Sequence, residues 1–319
     1  MLNDGAGGFP DRQDIFIAGG VGDSQRQSIF QTANSQQIEI ADIDGDQMPD
    51  IVYFQENVRF VGETFVRPAN LTVLWGECNM NTHQWSRDII EIASHPFSQG
   101  MDVGDIDDDG DDDIVLATMT PDGGQTYLEV FKGPDPGPQA DQTILVPAPT
   151  YGHYSYIELG HWGEDLAEDP FTGATLPGEC EDLDLWVLRT PRFNPGAGYS
   201  VGNYDNMTVI EFDCVTGLYA DPNVGGSAAA SVHDFTLDAE HGYELQIDVE
   251  DTDGDGIIDM VAAVDGIEGR VSYATRSGVN SNWDTRNYIN LGNYKGASIT
   301  ISDVNGDGNM DFFVPTELT

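Results

Sequence analysis

Five times along the chain the pattern of apolar and polar positions makes the same change. An alternating stretch (QQIEIAD, QGMDVGD, SYIELGHW, YELQIDVED and GASITISD) runs into a polar loop. The loop then opens onto an apolar run (IVYF, IVLA, DLWVL, MVAAV and FFV). Alternation of period two predicts a strand with one apolar face, and a short unbroken apolar run predicts a strand buried on both faces. The unit is therefore strand–loop–strand rather than helix.

Two more strands follow each outgoing one. The third reads Asn70–Gly76, Thr126–Gly133, Asn206–Phe212 and Gly269–Thr275 in successive units, and the fourth reads Ser86–Ala93, Asp141–Ala148, Ser231–Leu237 and Thr285–Gly292. Four strands per repeat is the blade of a β-propeller. The fifth unit is split between the chain ends. The C-terminus supplies its first two strands (GASITISD and DFFVPT), while MLNDGAGGF reads as the turn after a third strand and RQDIFIAG as a fourth. The expectation is one all-β domain over 1–319: a five-bladed propeller with blades at about 36–98, 99–153, 154–242 and 243–295, and a last blade of 296–319 closed by 1–20. Pairing the two termini in one sheet removes exposed strand edges. The alternative is that the terminal strands pair with a neighbouring molecule and build a filament.

Four of the loops share one chemistry. They read DIDGDQMPD (42–50), DIDDDGDDD (105–113), DTDGDGIID (251–259) and DVNGDGNMD (303–311). Seven aspartates in the nine residues of the second loop repel one another unless a cation neutralises them. Oxygen donors at positions 1, 3, 5 and 9 suit a hard ion that takes six to eight oxygens, which points to calcium rather than magnesium. The expected side-chain ligands are Asp42, Asp44, Asp46 and Asp50; Asp105, Asp107, Asp109 and Asp113; Asp251, Asp253, Asp255 and Asp259; and Asp303, Asn305, Asp307 and Asp311. Position 7 would add a backbone carbonyl from Met48, Asp111, Ile257 or Asn309. Glycine at position 4 or 6 allows the tight turn the loop needs. An EF-hand needs a bidentate glutamate at position 12. Tyr53, Leu116, Ala262 and Val314 stand there, so that reading fails. About four calcium ions are expected.

The third unit breaks the pattern. His161 and Gly163 replace ligand aspartates and extra residues precede Asp184, so weak or no metal binding is expected there. Its insertion Glu164–Cys180 and its loop Cys214–Ser231 exceed what a blade requires and are the expected functional surface, length variation being the alternative. Cys180 and Cys214 share that unit and are the plausible disulfide among three cysteines, while Cys78 lies elsewhere. Five tryptophans sit mostly in strand patterns and are read as core rather than as sugar platforms.

Composition narrows the partners. With 56 acidic and 12 basic residues the net charge is −44, which repels nucleic acid and anionic lipid. Four calcium ions at two charges each would bring −44 only to −36, so the surface itself is acidic. No apolar window reaches the length of a membrane span. No signal peptide is read at the N-terminus of this chain, and no zinc spacing, HExxH or nucleophile elbow occurs.

The loops resemble the calcium-binding blades of FG-GAP and VCBS-type repeats, the family of the integrin α-subunit propeller and many microbial surface proteins. LNDGAGGF near the N-terminus also resembles a segment of VCBS-type repeats. The phenylalanine-glycine and glycine-alanine-proline signatures are absent, and five units are counted where that family has seven. The resemblance implies a calcium-binding propeller at the cell surface or outside the cell, acting as a recognition or adhesion module toward glycan or protein. The alternatives are a subunit of a surface layer or filament, assembled head to tail, and a polysaccharide-active enzyme. No catalytic residues are read from the chain.

Overall fold

The computed structural model describes residues 38–56, 59–61, 64–66, 69–76, 85–92, 97–119, 125–137, 139–146, 152–162, 183–191, 205–213, 216–223, 232–238, 244–254, 257–265, 269–277, 283, 287–292, 294–296, 298–307 and 309–318. Among them there is no helix; the chain is all-β. The N-terminal strand expected within 1–20, the insertion Glu164–Cys180 and the three cysteines lie outside the described residues.

Four antiparallel sheets of four strands follow one another along the chain. The first pairs Ile38–Ala41, Asp50–Glu56, Ala69–Gly76 and Trp85–Ile92 in that order. The second runs Phe97–Gly104, Asp113–Met119, Thr126–Phe131 and Gln142–Val146. The third consists of Gly152–Gly160, Asp184–Pro191, Asp205–Ile210 and Val232–Asp238, and the fourth of Glu244–Glu250, Met260–Asp265, Arg270–Thr275 and Asn287–Asn290. Each of the sixteen strands falls where the alternation and the apolar runs put it. The C-terminal unit begins with the expected pair, Thr300–Ser302 on Asp311–Phe313. Three small ribbons were not legible in the pattern: Arg59–Val61 with Thr64–Val66, Phe212–Asp213 with Leu218–Tyr219, and Tyr294–Gly296 with Thr316–Leu318.

The second strand of each sheet is buried on both faces because each sheet packs on the next. In Asp113–Met119, Ile114 and Leu116 face the first sheet beside Val52, Phe54, Leu71 and Val73. Val115 and Ala117, one step out of phase, face the third sheet beside Leu185, Val187 and Ile157. The third sheet repeats the arrangement: Trp186 and Leu188 meet Ile247, Val261 and Ala263 of the fourth. Ala262 and Val264 of the fourth then meet Ile299 and Ile301. Period-two alternation sends successive side chains to opposite faces, so an apolar run is needed wherever both faces are covered.

The seam between the third and fourth sheets carries a cation among aromatics. Arg276 is buried, with its guanidinium 4.4 Å from the Trp162 ring and 5.2 Å from that of Trp283. Its Nε donates to the Ile258 carbonyl at 2.8 Å and its Nη2 to the Trp162 carbonyl. Trp186, fully buried, meets both indoles edge-on. The third-sheet tryptophan is core, as its strand position implies. Trp162 and Trp283 are half-buried and hold the arginine.

Candidate metal centres

The loops between first and second strands are built from short-range carboxylate-to-backbone bonds. The position-1 aspartate turns back onto the loop's own amides. Asp105 accepts from the N–H groups of Asp109 and Gly110, both at 3.0 Å, Asp42 from that of Gln47 at 2.7 Å, Asp251 from that of Gly254 at 2.7 Å and Asp303 from that of Gly306 at 2.7 Å. The position-5 aspartate accepts from the position-7 N–H in three loops (Asp46 from Met48, Asp109 from Asp111, Asp307 from Asn309). Such a path needs left-handed backbone. Gly45, Gly254 and Gly306 take it at position 4 with φ of 67°, 80° and 73°, and Gly110 takes it at position 6 with φ of 95°. Asp108 and Gln47 are drawn into the same region.

Among the described residues this folding gathers three acidic trios: Asp42 with Asp44 and Asp50, Asp105 with Asp107 and Asp109, and Asp251 with Asp253 and Asp259. In each, one carboxylate oxygen per residue lies within 4.8 Å of the others. Asp255 lies outside the described residues. In the last loop Asn305 replaces the position-3 acid, and its Nδ2 is 3.4 Å from Asp311 Oδ2. Two oxygens bear on whether a cation suits these loops. Asp42 Oδ1 and Asp107 Oδ1 are buried with no hydrogen-bond donor. A buried carboxylate oxygen without a donor is costly, and a hard divalent ion is the partner such an oxygen suits. The residues present fit calcium.

The position-9 aspartate has a second task in the first three sheets. Asp50, Asp113 and Asp184 are 0 %, 1 % and 2 % exposed. One oxygen of each accepts from the position-2 N–H: Ile43 at 3.0 Å, Ile106 at 3.3 Å and Trp162 at 2.7 Å. The other accepts from an N–H at or just past the end of the third strand: Gly76 at 2.6 Å, Gly133 at 2.8 Å and Phe212 at 3.1 Å. Asp259 holds position 2 through both the N–H and the hydroxyl of Thr252. The residue is thus a clasp tying the loop to the third strand. Asp113 has both oxygens engaged in this way and is not in its loop's trio. Burial, before any neighbouring charge, pushes its carboxyl up to about 7. Asp184 keeps the clasp in the unit whose loop has His161 and Gly163 where the other loops have ligand residues.

Neighbouring loops touch. The Asp42 N–H donates to Asp112 Oδ2 at 2.7 Å, and the Asp112 N–H returns to the Asp42 carbonyl at 2.9 Å. The position-7 side chain of the second loop, Asp111, lies against Gly45, where any Cβ would collide with its carboxylate. Only a backbone carbonyl was expected of Asp111. Its carboxylate is also near enough to Asp42 and Asp44 to feel their charge.

A second set of acids escaped the sequence reading. Glu39, Asp102, Glu158 and Asp248 occupy the same place in four first strands, three residues before the loop begins. They converge across the sheets. Asp102 Oδ2 accepts from the Leu159 N–H of the next sheet at 2.7 Å, and Asp248 Oδ2 from the Ile301 N–H. Asp102 and Glu158 hydrogen-bond each other through their side chains. A bond between two carboxyls requires a proton between them. Burial pushes Asp102 up to about 6 and Glu158 well above the ordinary range, the latter helped by the charges of Asp102, Asp248 and Glu39. Glu39 rises to about 7, by burial first and then by Asp102. The signal was present as an acid at the same phase of four of the five alternating strands.

Compared with known proteins, residues 251–314 match the family model of an FG-GAP-like repeat. That stretch holds three strands of the fourth sheet, the loop Asp251–Asp259 and the loop Asp303–Asp311, so the resemblance read from the loops holds there. No curated protein matches the chain. Among solved structures the chain is similar to a functionally unknown protein from Desulfotomaculum acetoxidans DSM 771, with 11 % identity over 79 % of this chain and 90 % of that one. The TM-score is 0.24, too low to transfer fold or function.

Proposed function

We propose, with an FG-GAP-like repeat over residues 251–314 as the premise, that this protein is a calcium-stabilised β-propeller that recognises glycan or protein partners outside the cytoplasm. The observation that carries the reading is the recurrence of acidic trios in the same loop of the first, second and fourth four-stranded sheets. Sheets packed face to face in chain order support a propeller of five blades. Among the described residues no helix is long and apolar enough to cross a membrane. Calcium would be held by the trios at 42–50, 105–113 and 251–259, with Asp303, Asn305, Asp307 and Asp311 as a fourth set. Bound there, it supplies the positive charge that lets the carboxylates stay close. Its role is structural, and the recognition surface lies on loops that break the repeat. No catalytic role is assigned to any residue.

At the affinities of extracellular modules, about 10⁻⁴ to 10⁻³ M, millimolar calcium stabilises by roughly 0.4–1.4 kcal/mol per site. Adding EGTA to protein in millimolar calcium is therefore expected to lower the melting temperature by roughly 2–5 °C. Calorimetric scans with and without chelator check this, and an unchanged melting temperature would sink the calcium reading. A glycan array probed in calcium and in EGTA tests recognition. Absence of any calcium-dependent binding, to glycans or to surface proteins, counts against it.

One observation favours a second reading, a head-to-tail assembly. Ile38 and Ile40 on the first described strand are 56 % and 70 % exposed, and Phe313 near the other end is 65 % exposed. Apolar side chains at both ends of the series suit contact between copies. A monomer by light scattering at high concentration in calcium would exclude this assembly.

A further inference from the structure

We propose that Lys132 is a built-in competitor for the cation of the second loop, and that filling this loop loosens the hairpin formed by Phe212–Asp213 and Leu218–Tyr219, next to the third sheet. The inference rests on the reading of the loops as calcium sites. The chain has only two lysines, and this one follows the strand Thr126–Phe131, level with the clasp Asp113. Its ammonium lies 2.7 Å from Asp107 Oδ2, the middle acid of the trio Asp105, Asp107 and Asp109. The same Nζ donates to the Gly217 carbonyl at 3.1 Å and stands 5.3 Å from the centre of the Phe212 ring. At the equivalent register of the fourth sheet the basic residue is Arg276, whose guanidinium goes to the Ile258 and Trp162 carbonyls between two indoles.

One ammonium therefore ties two elements from different sheets. It offsets a charge of the trio, as a metal ion would, and it holds the turn of the hairpin. Calcium on Asp107 places two positive centres on one carboxylate, within a few ångströms, where repulsion is strong. The ammonium must then withdraw, and its bond to Gly217 goes with it. The other ties of the hairpin remain. Gln142 bonds both backbone groups of Tyr219 at 2.9 Å, and Tyr219 Oη donates to the Leu183 carbonyl at 2.9 Å. The hairpin loosens at Gly217 without undocking. Coupling of this kind is reciprocal: whatever draws Lys132 toward Gly217 weakens calcium at the second loop.

The test is calorimetric titration of calcium into the full chain and its K132M and D105N variants, with D105N identifying the second loop as the binding step it removes. K132M is expected to tighten that step about tenfold and to leave the others unchanged. Hydrogen exchange gives a readout that simple packing would not move. In the wild-type chain, calcium is expected to speed exchange of the Thr216–Leu218 amides severalfold, and in K132M those amides no longer respond. An unchanged or weaker step in K132M overturns the proposal, as does calcium-induced slowing of exchange at those amides. Should K132M fail to fold, K132Q and the wild-type exchange measurement decide. A wild-type chain that takes up no calcium overturns the calcium reading and this proposal together. Calcium uptake unaltered by K132M overturns this proposal alone.

Discussion

Replacing Asp184 by alanine is expected to cost about 3–5 kcal/mol of stability, equally in calcium and in EGTA. The side chain is 2 % exposed and accepts two backbone N–H bonds, from Trp162 at 2.7 Å and Phe212 at 3.1 Å. Alanine leaves both donors buried with nothing to meet them. Each such donor costs about 1–3 kcal/mol. Asparagine keeps one acceptor oxygen and turns its amide toward the second N–H, so D184N is expected to fall between wild type and alanine. The unit is informative because its loop has His161 where the other loops have an aspartate. The clasp can be measured there apart from an acidic trio. In the first unit Asp50 belongs both to the clasp and to a trio, so D50A should lose more in calcium than in EGTA. Denaturant midpoints in the two media check both statements. A D184A loss that shrinks on chelation, or one below about 1 kcal/mol, would show that position 9 is kept for the ion rather than for the clasp.

Acidification should stabilise the metal-free protein, the reverse of the usual behaviour of an acidic chain. In EGTA the melting temperature is expected to rise by roughly 5–10 °C between pH 8 and pH 5. The carboxyls of Glu39 and Asp102 are pushed up from 4.5 and 3.8 to about 7 and about 6, with burial the leading cause in both. Glu158 and Asp248 move the same way for the same reason. When the folded-state value exceeds the unfolded one, the native state binds more protons across the interval between them. Stability then falls as pH rises. The contribution is complete below about 4 and lost through pH 6 to 7, the window these values set. Relief of self-repulsion at a net charge of −44 acts in the same direction. E158Q supplies a permanent donor to Asp102 and cannot ionise, so it should flatten the profile and be at least as stable as wild type at pH 8. A melting temperature that falls from pH 8 to pH 5 would contradict the convergence of these four acids.

Much of this protein is written in local pattern. Each first and second strand could be placed because alternation and apolar runs depend only on which face of a strand is covered. Leu116 and Val115 had to be apolar together, since a strand between two sheets has no polar side. The loops were equally legible. Gly45, Gly110, Gly254 and Gly306 stand where the backbone turns left-handed, a requirement set within a few residues. The third-unit loop was harder to interpret. Residues 216–223, expected to carry function, bond into the second sheet through Tyr219 and Asn223. Length alone does not reveal what a loop packs against.

The chain by itself determined the repeat, the strand order within each sheet and the acid spacing that suits calcium. Those follow from periods of two and from turns closed within nine residues. Tertiary structure alone decided what each acid faces. Asp50, Asp113 and Asp184 became clasps because an amide at or just past the end of the third strand arrives from 20 to 28 residues away. Asp102 met Leu159 from 57 residues away, and Lys132 met Gly217 from 85. Alternation tells a side chain which face to take, while the identity of its neighbour there depends on how whole sheets stack.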